Sequence, residues 1–536
     1  MTLVGAPRRR ARLALAVVLG VSVVLDAWGL GWGLAGDYTW APDELLPSAV
    51  RSGVETRFSH GWHEKYGPFQ YAVLAAAYEP VLVARRLGLI RADGPDLDRL
   101  LVLVGRIVSL LMAAGTVGLV ARCGAELGEE WAGILGAGFT ALSAPFVYYA
   151  KTTNLDQPYL FWFALSLLFY VRLLGRHRMA DYLLFAASAA AAVATKDQAY
   201  GLYLLTGPAV VAALHAHRRA QGDPRLLATL ADRRLVATAG LGLAMLLLLD
   251  NVVFNPVGFV DHLRLIAGPA SHPFRMFSND LPGHLGLMRQ TVRHLRFAMG
   301  LPALLVCAGG VVAAAARPRQ NVRWLYLLVP AVSYVLTFLH VVLYGYDRFV
   351  LPLCVVLSLF GGRLLAEGLR SAPPLPAAAS ALAAAVFSYS LLYAASVDRL
   401  LVHDSRYTVE RWLARNVPAP ALVAAVGPSG YLPRLDGLRW RPLGPSVARL
   451  RHVDPDYVVV NADYAARADP GTGERALYDG LFAGRLGYRL VLRERTSAAW
   501  SLIDPAALAQ EHPDRIFSNL DKVNPEICVF RRERER

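Results

Sequence analysis

Two adjacent carboxylates lie where the first long apolar segment of the chain gives way to polar sequence. Asp43 and Glu44 follow Pro42 in the segment DYTWAPDELLPS. Crowded carboxylates at a low-dielectric boundary could coordinate a divalent cation or accept a proton from an attacking hydroxyl. The same two acids would also suit the first turn of a helix, where carboxylates interact favourably with the helix dipole. The residues alone leave both interpretations open.

A second charged pair, Glu64 and Lys65, lies in the segment WHEKYGPF. A lysine at the level of lipid headgroups can bind a phosphate as a point charge, and the neighbouring glutamate could ligate a metal. Lys65 could instead extend to the interface and form a local ion pair.

Asp156 is a single acid at the entrance to a later apolar segment, where an unpaired carboxylate is costly unless a cation or a metal compensates it. It could also cap the helix that begins near Pro158.

Four further cations accompany these acids. Lys196 in ATKDQ and Arg348 in YDRFVLPL each border an apolar run, where each could bind an anion or simply extend its charge to the interface. Arg264 and Arg275 lie in a loop over residues 256–298 that also carries four histidines. These side chains could bind an anionic phosphate or remain solvated at the surface.

The composition indicates what must position these residues. The chain has 536 residues, of which 55% are hydrophobic and 18% charged, and its mean hydropathy is +0.37. This balance is typical of a polytopic membrane protein.

The net charge of +14 comes with arginine clusters between apolar runs, which the positive-inside rule explains without nucleic-acid binding. The four scattered cysteines form neither a disulfide framework nor a zinc pattern.

About eleven apolar runs are long enough to cross a hydrocarbon layer roughly 30 Å thick. The first follows an arginine cluster and runs to about Ala35, and the others lie near 100–121, 131–150, 158–175, 180–195, 199–215, 235–254, 299–316, 324–343, 349–367 and 375–396. The segment from Tyr66 to Ile90 is ambiguous. We expect it to be a helix in the outer interface, because only then do the basic loops face the cytoplasm. That topology places the candidate acids and cations on the extracytoplasmic side.

The composition changes after about Val397. Short apolar runs separated by Gly and Pro turns predict a soluble α/β domain over 397–536, which follows a transmembrane catalytic domain over 1–396. The predicted strands are ALVAAVG, DYVVVNADY, YRLVLRER and EICVFRR, and a helix is predicted from Tyr407 to Asn416. The odd number of spans places this domain on the extracytoplasmic side.

Taken in order, the motifs resemble those of the GT-C glycosyltransferases that use polyprenyl-phosphate sugars, in particular the protein mannosyltransferase-like group and the lipid A aminoarabinose transferases. The similar segments are PDE after the first span, EKYGP before the ambiguous helix, TNLDQPYLFW, ATKDQ and YDRFVLPL, so the resemblance covers roughly 36–370. The chain departs from the pattern at Tyr66 and Gly67, which stand before Pro68, and at Asp197, where the family has glycine.

The resemblance implies a GT-C-like helical fold with interfacial helices and a reaction that inverts the anomeric carbon. By position, Asp43 would be the catalytic carboxylate, Glu64 and Asp156 would ligate a divalent metal cation, and Lys65 would bind the lipid phosphate. This scheme is chemically sound because a phosphate leaving group needs charge stabilisation, which Lys65, Arg348 or a metal could supply.

We therefore expect a membrane glycosyltransferase that moves a hexosyl or pentosyl group from a polyprenyl-phosphate donor to an acceptor hydroxyl, outside the plasma or inner membrane. Its partners would be membrane lipid, the lipid-linked sugar and an acceptor glycan, lipid or protein, with no nucleic acid. The alternative is a transporter or flippase of a lipid-linked or envelope substrate, which would place polar sites near mid-membrane and usually contain repeats. The clearest acid within a span is Asp26 and no repeated halves are visible, so the sequence favours the enzyme.

Overall fold

The computed structural model describes residues 5–34, 39–269, 271–497 and 518–533. Helices form the chain up to residue 416, and a five-stranded sheet with short helices forms the rest of the described chain. The fold class predicted from the sequence, a helical membrane protein with a C-terminal α/β domain, is therefore confirmed. Residues 35–38, at the start of the first predicted loop, lie outside the described residues.

The helices of the membrane part follow one another with short connections. They are α1 (Gly5–Ala27), α2 (Pro47–Glu55), α3 (Pro68–Arg86), α4 (Gly94–Glu126), α5 (Glu130–Ala141), α6 (Ala144–Tyr149), α7 (Asp156–Arg176), α8 (Met179–Thr195), α9 (Thr206–Ala220), α10 (Leu226–Leu230), α11 (Arg233–Leu249), α12 (Pro256–Ala267), α13 (Leu281–Met299), α14 (Leu301–Ala315), α15 (Val322–Leu325), α16 (Leu328–Tyr334), α17 (His340–Val342), α18 (Leu351–Arg370) and α19 (Leu375–Val402). Short 3-10 helices at Asp197–Leu202, His272–Phe274 and Asp347–Val350 and a π-helical turn at Val335–Leu339 interrupt this series.

Within the described residues, six helical segments are long and apolar enough to cross a membrane. They are Gly94–Glu126, Asp156–Arg176, Asp197–Ala220, Val322–Val342, Asp347–Arg370 and Leu375–Asn416, and the pair α13 and α14, bent by 116°, could make a seventh. The sequence-based number of about eleven spans therefore stays a prediction. One predicted span, 131–150, is divided into α5 and α6 by a break just before Pro145, since proline cannot continue a helical hydrogen-bond ladder.

Helix α3 corresponds to the ambiguous segment after residue 66. Pro68 occupies its first turn, where a missing backbone donor costs nothing, and Gly67 precedes it in an extended conformation. Its buried face packs Tyr71 and Leu74 against Leu101 of α4. The helix therefore holds Glu64 and Lys65 just before its N-terminus. It is not among the six membrane-crossing candidates of the described chain, and its interfacial position stays a prediction.

Small residues allow the central helices to approach closely. A Cβ atom on Gly133 of α5 would lie 2.2 Å from the carbonyl oxygen of Ala121 in α4, and one on Gly362 of α18 would lie 2.2 Å from that of Ala132. Such contacts are typical of helix interfaces inside membranes, where backbones pack together without large side chains between them. They produce a tight bundle of α4, α5, α7 and α18 that supports the loops at one end.

A buried lysine anchors the segment between α6 and α7. Lys151 donates to the carbonyl oxygen of Leu25 in α1 over 2.9 Å and forms an ion pair with Asp398 of α19. Both charged side chains are fully buried, so removal of either partner would leave an uncompensated charge. The pair fixes the start of the segment that leads to Asp156.

The C-terminal sheet has the strand order β2-β1-β3-β5-β4, in which β1 pairs in parallel with β2 and β3, while β5 pairs antiparallel with β3 and β4. Its elements are α20 (Ser405–Asn416), β1 (Leu422–Val426), β2 (Arg439–Leu443), α21 (Val447–Val453), β3 (Tyr457–Asn461), α22 (Ala462–Ala465), α23 (Gly473–Phe482), β4 (Tyr488–Glu494) and β5 (Ile527–Arg532), with 3-10 turns at Ser429–Tyr431 and Asn519–Lys522.

All four strands predicted from apolar runs are present, as is the predicted helix, which forms α20. Strand β2 was not predicted, because its sequence RWRPL is polar, contains proline and lies exposed at the sheet edge. Helix α19 continues through Val402, past the predicted domain start at Val397, and the division into two domains stays a prediction.

The sheet domain is attached to the membrane part through buried polar contacts. Asp404 accepts hydrogen bonds from Trp32 Nε1 at 3.1 Å, from the Asn524 backbone at 2.9 Å and from the guanidinium of Arg406 at 2.7 Å. Ser518 donates to Asp347 over 2.5 Å. These contacts hold the segment before β5 against the loop that precedes α18.

Candidate active site

A cavity of about 720 Å³ lies where these loops meet the sheet domain. Its charged lining residues are Asp43, Lys65, Lys196, Asp197, Arg275, Arg348 and Lys522. Its apolar lining residues include Leu263, Ile266, Phe274, Phe338, Val341 and Phe349. Cations outnumber acids in the lining, so the cavity is suited to an anionic group attached to an apolar one.

Asp43 is one of two acids in the cavity lining. Its backbone has a φ of 62°, in the left-handed region that few non-glycine residues adopt. Its carboxylate accepts hydrogen bonds from Arg348 at 3.0 Å and from Lys65 at 3.3 Å. Burial raises the pKa of the Asp43 carboxyl, but the positive charges of Arg348 and Lys65 outweigh it and hold that pKa well below its usual range. Asp43 is therefore ionised at neutral pH.

Glu44 has a different environment, although it is the next residue. Its two oxygens accept hydrogen bonds of 2.9 Å each from Arg106, and the backbone of Thr153 donates to it over 2.7 Å. The side chains of both ionic partners are buried, with 1% of Glu44 and none of Arg106 exposed. Glu44 thus connects the Asp43 loop to α4 and to the segment before Asp156, and it does not line the cavity. A catalytic role for Glu44 stays a prediction, and its contacts indicate a positioning role.

Asp156 and Lys196 form a buried ion pair beside the cavity. Lys196 Nζ lies 2.7 Å from Asp156 Oδ1 and 5.4 Å from the centre of the Tyr159 ring. Lys196 lies in the break between α8 and the following 3-10 helix. Burial lowers the pKa of its ammonium group to about 8, even though Asp156 favours the charged form. A modest change in surroundings can therefore change the charge of this lysine.

The two predicted metal ligands have different neighbours. Asp156 is already neutralised by Lys196, whereas Glu64 lines a small separate cavity with Asp250 and His262. Within the described ranges, no group of three or more His, Cys, Asp or Glu side chains is placed to hold a metal ion. This donor set does not fit a divalent cation, and metal ligation by Glu64 and Asp156 stays a prediction.

His262 connects three of the loops. Its Nδ1 lies 3.0 Å from the backbone oxygen of Glu64, and its Nε2 lies 3.1 Å from Asp197 Oδ1. Burial lowers the pKa of His262, but the hydrogen bond and negative charge of Asp197, with smaller effects of the Glu64 backbone and Asp250, together raise that pKa overall. Asp197 therefore has a structural partner on α12. The contact with the Glu64 backbone holds α12 against the Glu64 and Lys65 segment.

The two candidate arginines of the 256–298 loop are in different environments. Arg275 is exposed and lines the cavity. Arg264 is 76% exposed and pairs with Asp261 one turn earlier in α12. Arg264 is not part of the described cavity lining, so the geometry supports a substrate contact for Arg275 alone of this pair.

A family model described as dolichyl-phosphate-mannose-protein mannosyltransferase matches residues 102–231. The resemblance is confirmed. The matched range contains the Asp156 and Lys196 segments, while Asp43, Lys65 and Arg348 lie outside it. No curated protein sequence matches the chain.

Several solved structures are similar at low identity. Protein O-mannosyltransferase Pmt1-Pmt2 of S. cerevisiae, bound to the sugar donor, is 17% identical with a TM-score of 0.33, and the match covers 48% of this chain but only 34% of that one. ArnT of Cupriavidus metallidurans, bound to undecaprenyl phosphate, is 16% identical with a TM-score of 0.43 and coverages of 96% and 97%. AglB of Archaeoglobus fulgidus, in complex with an inhibitory peptide and a dolichol-phosphate, is 12% identical with a TM-score of 0.48 and coverages of 98% and 89%.

Sequence reasoning missed three residues of this region. Arg106 lies inside an apolar helix, and its position there is itself a signal, since charged residues within spans are rarely without function. His262 was one of four histidines in one loop, and spacing alone did not separate it from the others. Lys522 lies far away in the sequence, beyond the predicted catalytic domain, and only its residue type could have indicated it.

Proposed function

We propose that this protein is a membrane glycosyltransferase that transfers a sugar from a polyprenyl-phosphate donor to an acceptor hydroxyl on the extracytoplasmic side, with inversion at the anomeric carbon. One observation carries this proposal: apolar side chains line the same cavity as an ionised carboxylate that two cations hold. A polyprenyl-phosphate sugar has the same sequence of parts, namely an apolar chain, an anion and a hydroxyl-bearing ring. The family match over residues 102–231 supports the same class of enzyme.

The donor phosphate would bind to the cations that now hold Asp43. Arg348 and Lys65 both donate to that carboxylate, which occupies the place of an anionic ligand. An arriving phosphate is a stronger acceptor for these donors, because it offers more oxygens and more charge. Arg348 and Lys65 would then contact the phosphate and leave Asp43 with fewer partners.

This exchange would activate Asp43 when the donor is present. With its cations engaged by phosphate, the carboxylate loses the interactions that lower its pKa and becomes a better proton acceptor. The acceptor hydroxyl oxygen would attack the anomeric carbon while the bond from that carbon to the phosphate oxygen breaks. The hydroxyl proton passes to Asp43, and the lipid phosphate leaves with its charge stabilised by Arg348 and Lys65. A single displacement of this kind inverts the anomeric carbon.

Two kinds of contact would hold the remaining parts of the donor. The apolar lining residues Leu263, Phe338 and Val341 suit the first isoprene units, and Leu263 and Val341 are exposed. Arg275 and Lys196 also line the cavity and would add positive charge near the phosphate.

The acceptor, a glycan, a lipid or a protein, would enter beneath the sheet domain.

The experiment is a transfer assay with the purified protein and a panel of polyprenyl-phosphate sugars, with Asp43→Asn as the blank. The proposal predicts release of polyprenyl phosphate and formation of a glycosylated product with at least one donor. Turnover of a nucleotide sugar without a lipid carrier would contradict it. Transport of a lipid-linked substrate into vesicles, with no sugar transferred, would favour the transporter or flippase instead.

A further inference from the structure

The distribution of lysine in the chain is unusual. Of the 55 basic residues, only four are lysines, and they are Lys65, Lys151, Lys196 and Lys522. Three of these four line the one cavity described above, and the fourth, Lys151, is buried at the start of the segment that leads to Asp156. A chain that uses arginine almost everywhere else therefore has three of its four lysines at this cavity, beside Arg275 and Arg348.

Lys522 differs from the other two lysines of the cavity because it belongs to the C-terminal domain. It ends the 3-10 turn Asn519–Lys522, in which its ammonium group lies 3.1 Å from the Asn519 side chain and 5.8 Å from the centre of the Tyr431 ring. It is the only lysine after residue 396. Its positive charge contributes to the low pKa of the Asp43 carboxyl, after the larger effects of burial, Arg348 and Lys65. Lys522 therefore acts electrostatically on the same point of the cavity as the two cations of the membrane part.

The segment that carries Lys522 is firmly held. Ser518 donates to Asp347, the residue before Arg348, and its partner atoms are buried. On the other side of the turn, the Asn524 backbone donates to Asp404, and the Asn524 side chain accepts from the Ser405 backbone over 3.0 Å. The turn is thus fixed at both ends to elements that contact the membrane part.

We propose that Lys522 binds the phosphate of the lipid-linked donor, so that the C-terminal domain supplies part of the donor site. This inference rests on the function proposed above. A lysine suits this place better than an arginine, because its compact ammonium group has three rotatable donors and can follow a phosphate as the lipid leaves. The phosphate would then lie between Arg348 and Lys65 on the membrane side and Lys522 on the side of the sheet domain.

The test measures how tightly the purified full-length protein binds undecaprenyl phosphate and the uncharged undecaprenol. Lys522→Gln is expected to weaken binding of the phosphate by roughly 10- to 100-fold, the range for loss of a hydrogen bond to a charged group. Binding of undecaprenol should stay unchanged, because it has no phosphate. Lys522→Arg should recover a large part of the phosphate affinity, since it restores the charge.

The matched control is Arg441→Gln, which removes an exposed cation of strand β2 in the same domain and should bind both lipids as the wild type does. If Lys522→Gln weakens binding of both lipids equally, the residue acts through the structure of the cavity and the proposal is overturned. If the wild type binds the phosphate and Lys522→Gln binds it equally well, this inference fails while the proposed function stands. If the wild type binds no undecaprenyl phosphate, both fail together.

Discussion

Asp43 and Glu44 are neighbours in the sequence, yet they belong to two different ionic regions. Asp43 faces the cavity and pairs with Lys65 and Arg348, whose side chains are 48% and 9% exposed. Glu44 faces the helical bundle and pairs with Arg106 where solvent does not reach. Asp43, whose backbone has a left-handed conformation, is the residue at which these two environments meet. The partly exposed first region can therefore exchange its ions with a ligand, whereas the buried second region holds the loop in place.

The largest expected effect is on chemistry at the cavity region. Asp43→Asn keeps the size of the side chain but removes the proton acceptor, so the rate of sugar transfer should fall by roughly 10²–10⁴-fold, the contribution typical of a general base. The melting temperature should fall less than on loss of a fully buried pair, because 30% of the Asp43 side chain is exposed. Steady-state rates and thermal unfolding of the same preparation check both parts. Full transfer activity in this variant would remove Asp43 from the mechanism.

The second effect should appear in stability rather than in chemistry. Glu44→Gln leaves Arg106 buried without its counter-ion, and breaking a buried pair costs about 3–5 kcal/mol. The variant should therefore unfold at a clearly lower temperature or denaturant concentration. Glu367→Gln is the control, since Glu367 is 43% exposed beside Arg363 and an exposed pair contributes about 0–1 kcal/mol. Equal stability of the two variants would contradict the distinction between the two regions.

A third comparison separates cations of the cavity from cations outside it. Arg348→Gln should weaken binding of undecaprenyl phosphate by roughly 10- to 100-fold, because a charged donor to the phosphate is lost. Arg264→Gln should leave this affinity unchanged, since Arg264 is largely exposed and pairs with Asp261. Equilibrium binding with both variants decides the matter. A comparable loss in both would show that overall charge, and not position, determines affinity.

The smallest expected effect concerns pH. Lys196 is charged below its pKa of about 8 and neutral above it. Any help that its positive charge gives to donor binding or transfer is therefore present at neutral pH and lost as pH rises through about 8. The value of kcat/KM should therefore fall on the alkaline side near pH 8. Lys196→Arg, which keeps its charge at higher pH, should shift this alkaline fall in kcat/KM to higher pH. An unchanged pH profile in Lys196→Arg would exclude Lys196 as its origin.

Sequence patterns predicted the parts of this molecule that depend on local chemistry. Strands β1, β3, β4 and β5 followed from short apolar runs, whereas the polar edge strand β2 did not, because exposed edges place little demand on hydrophobicity. The order of the motifs identified Asp43 and Lys65 as candidates for one site. It could not show that the adjacent Glu44 pairs with Arg106 of α4, since that contact depends on the tertiary fold.

Contacts between residues far apart in the chain could not be predicted from the sequence. Asp156 pairs with Lys196, and both residues were candidates without being predicted to pair. His262 contacts Asp197 across 65 positions, and Lys522 reaches a cavity formed mainly by the membrane part. Such contacts depend on the tertiary fold, which periodicity and spacing do not encode.

The central claim is that Asp43 holds the place of the donor phosphate and is released when the phosphate binds. Its most direct test is the affinity of Asp43→Asn for undecaprenyl phosphate, measured beside the wild type. The account predicts equal or tighter binding together with lost transfer, because the variant removes an anion that competes for Arg348 and Lys65. Binding at least ten-fold weaker than in the wild type, in a variant that remains folded, would contradict it.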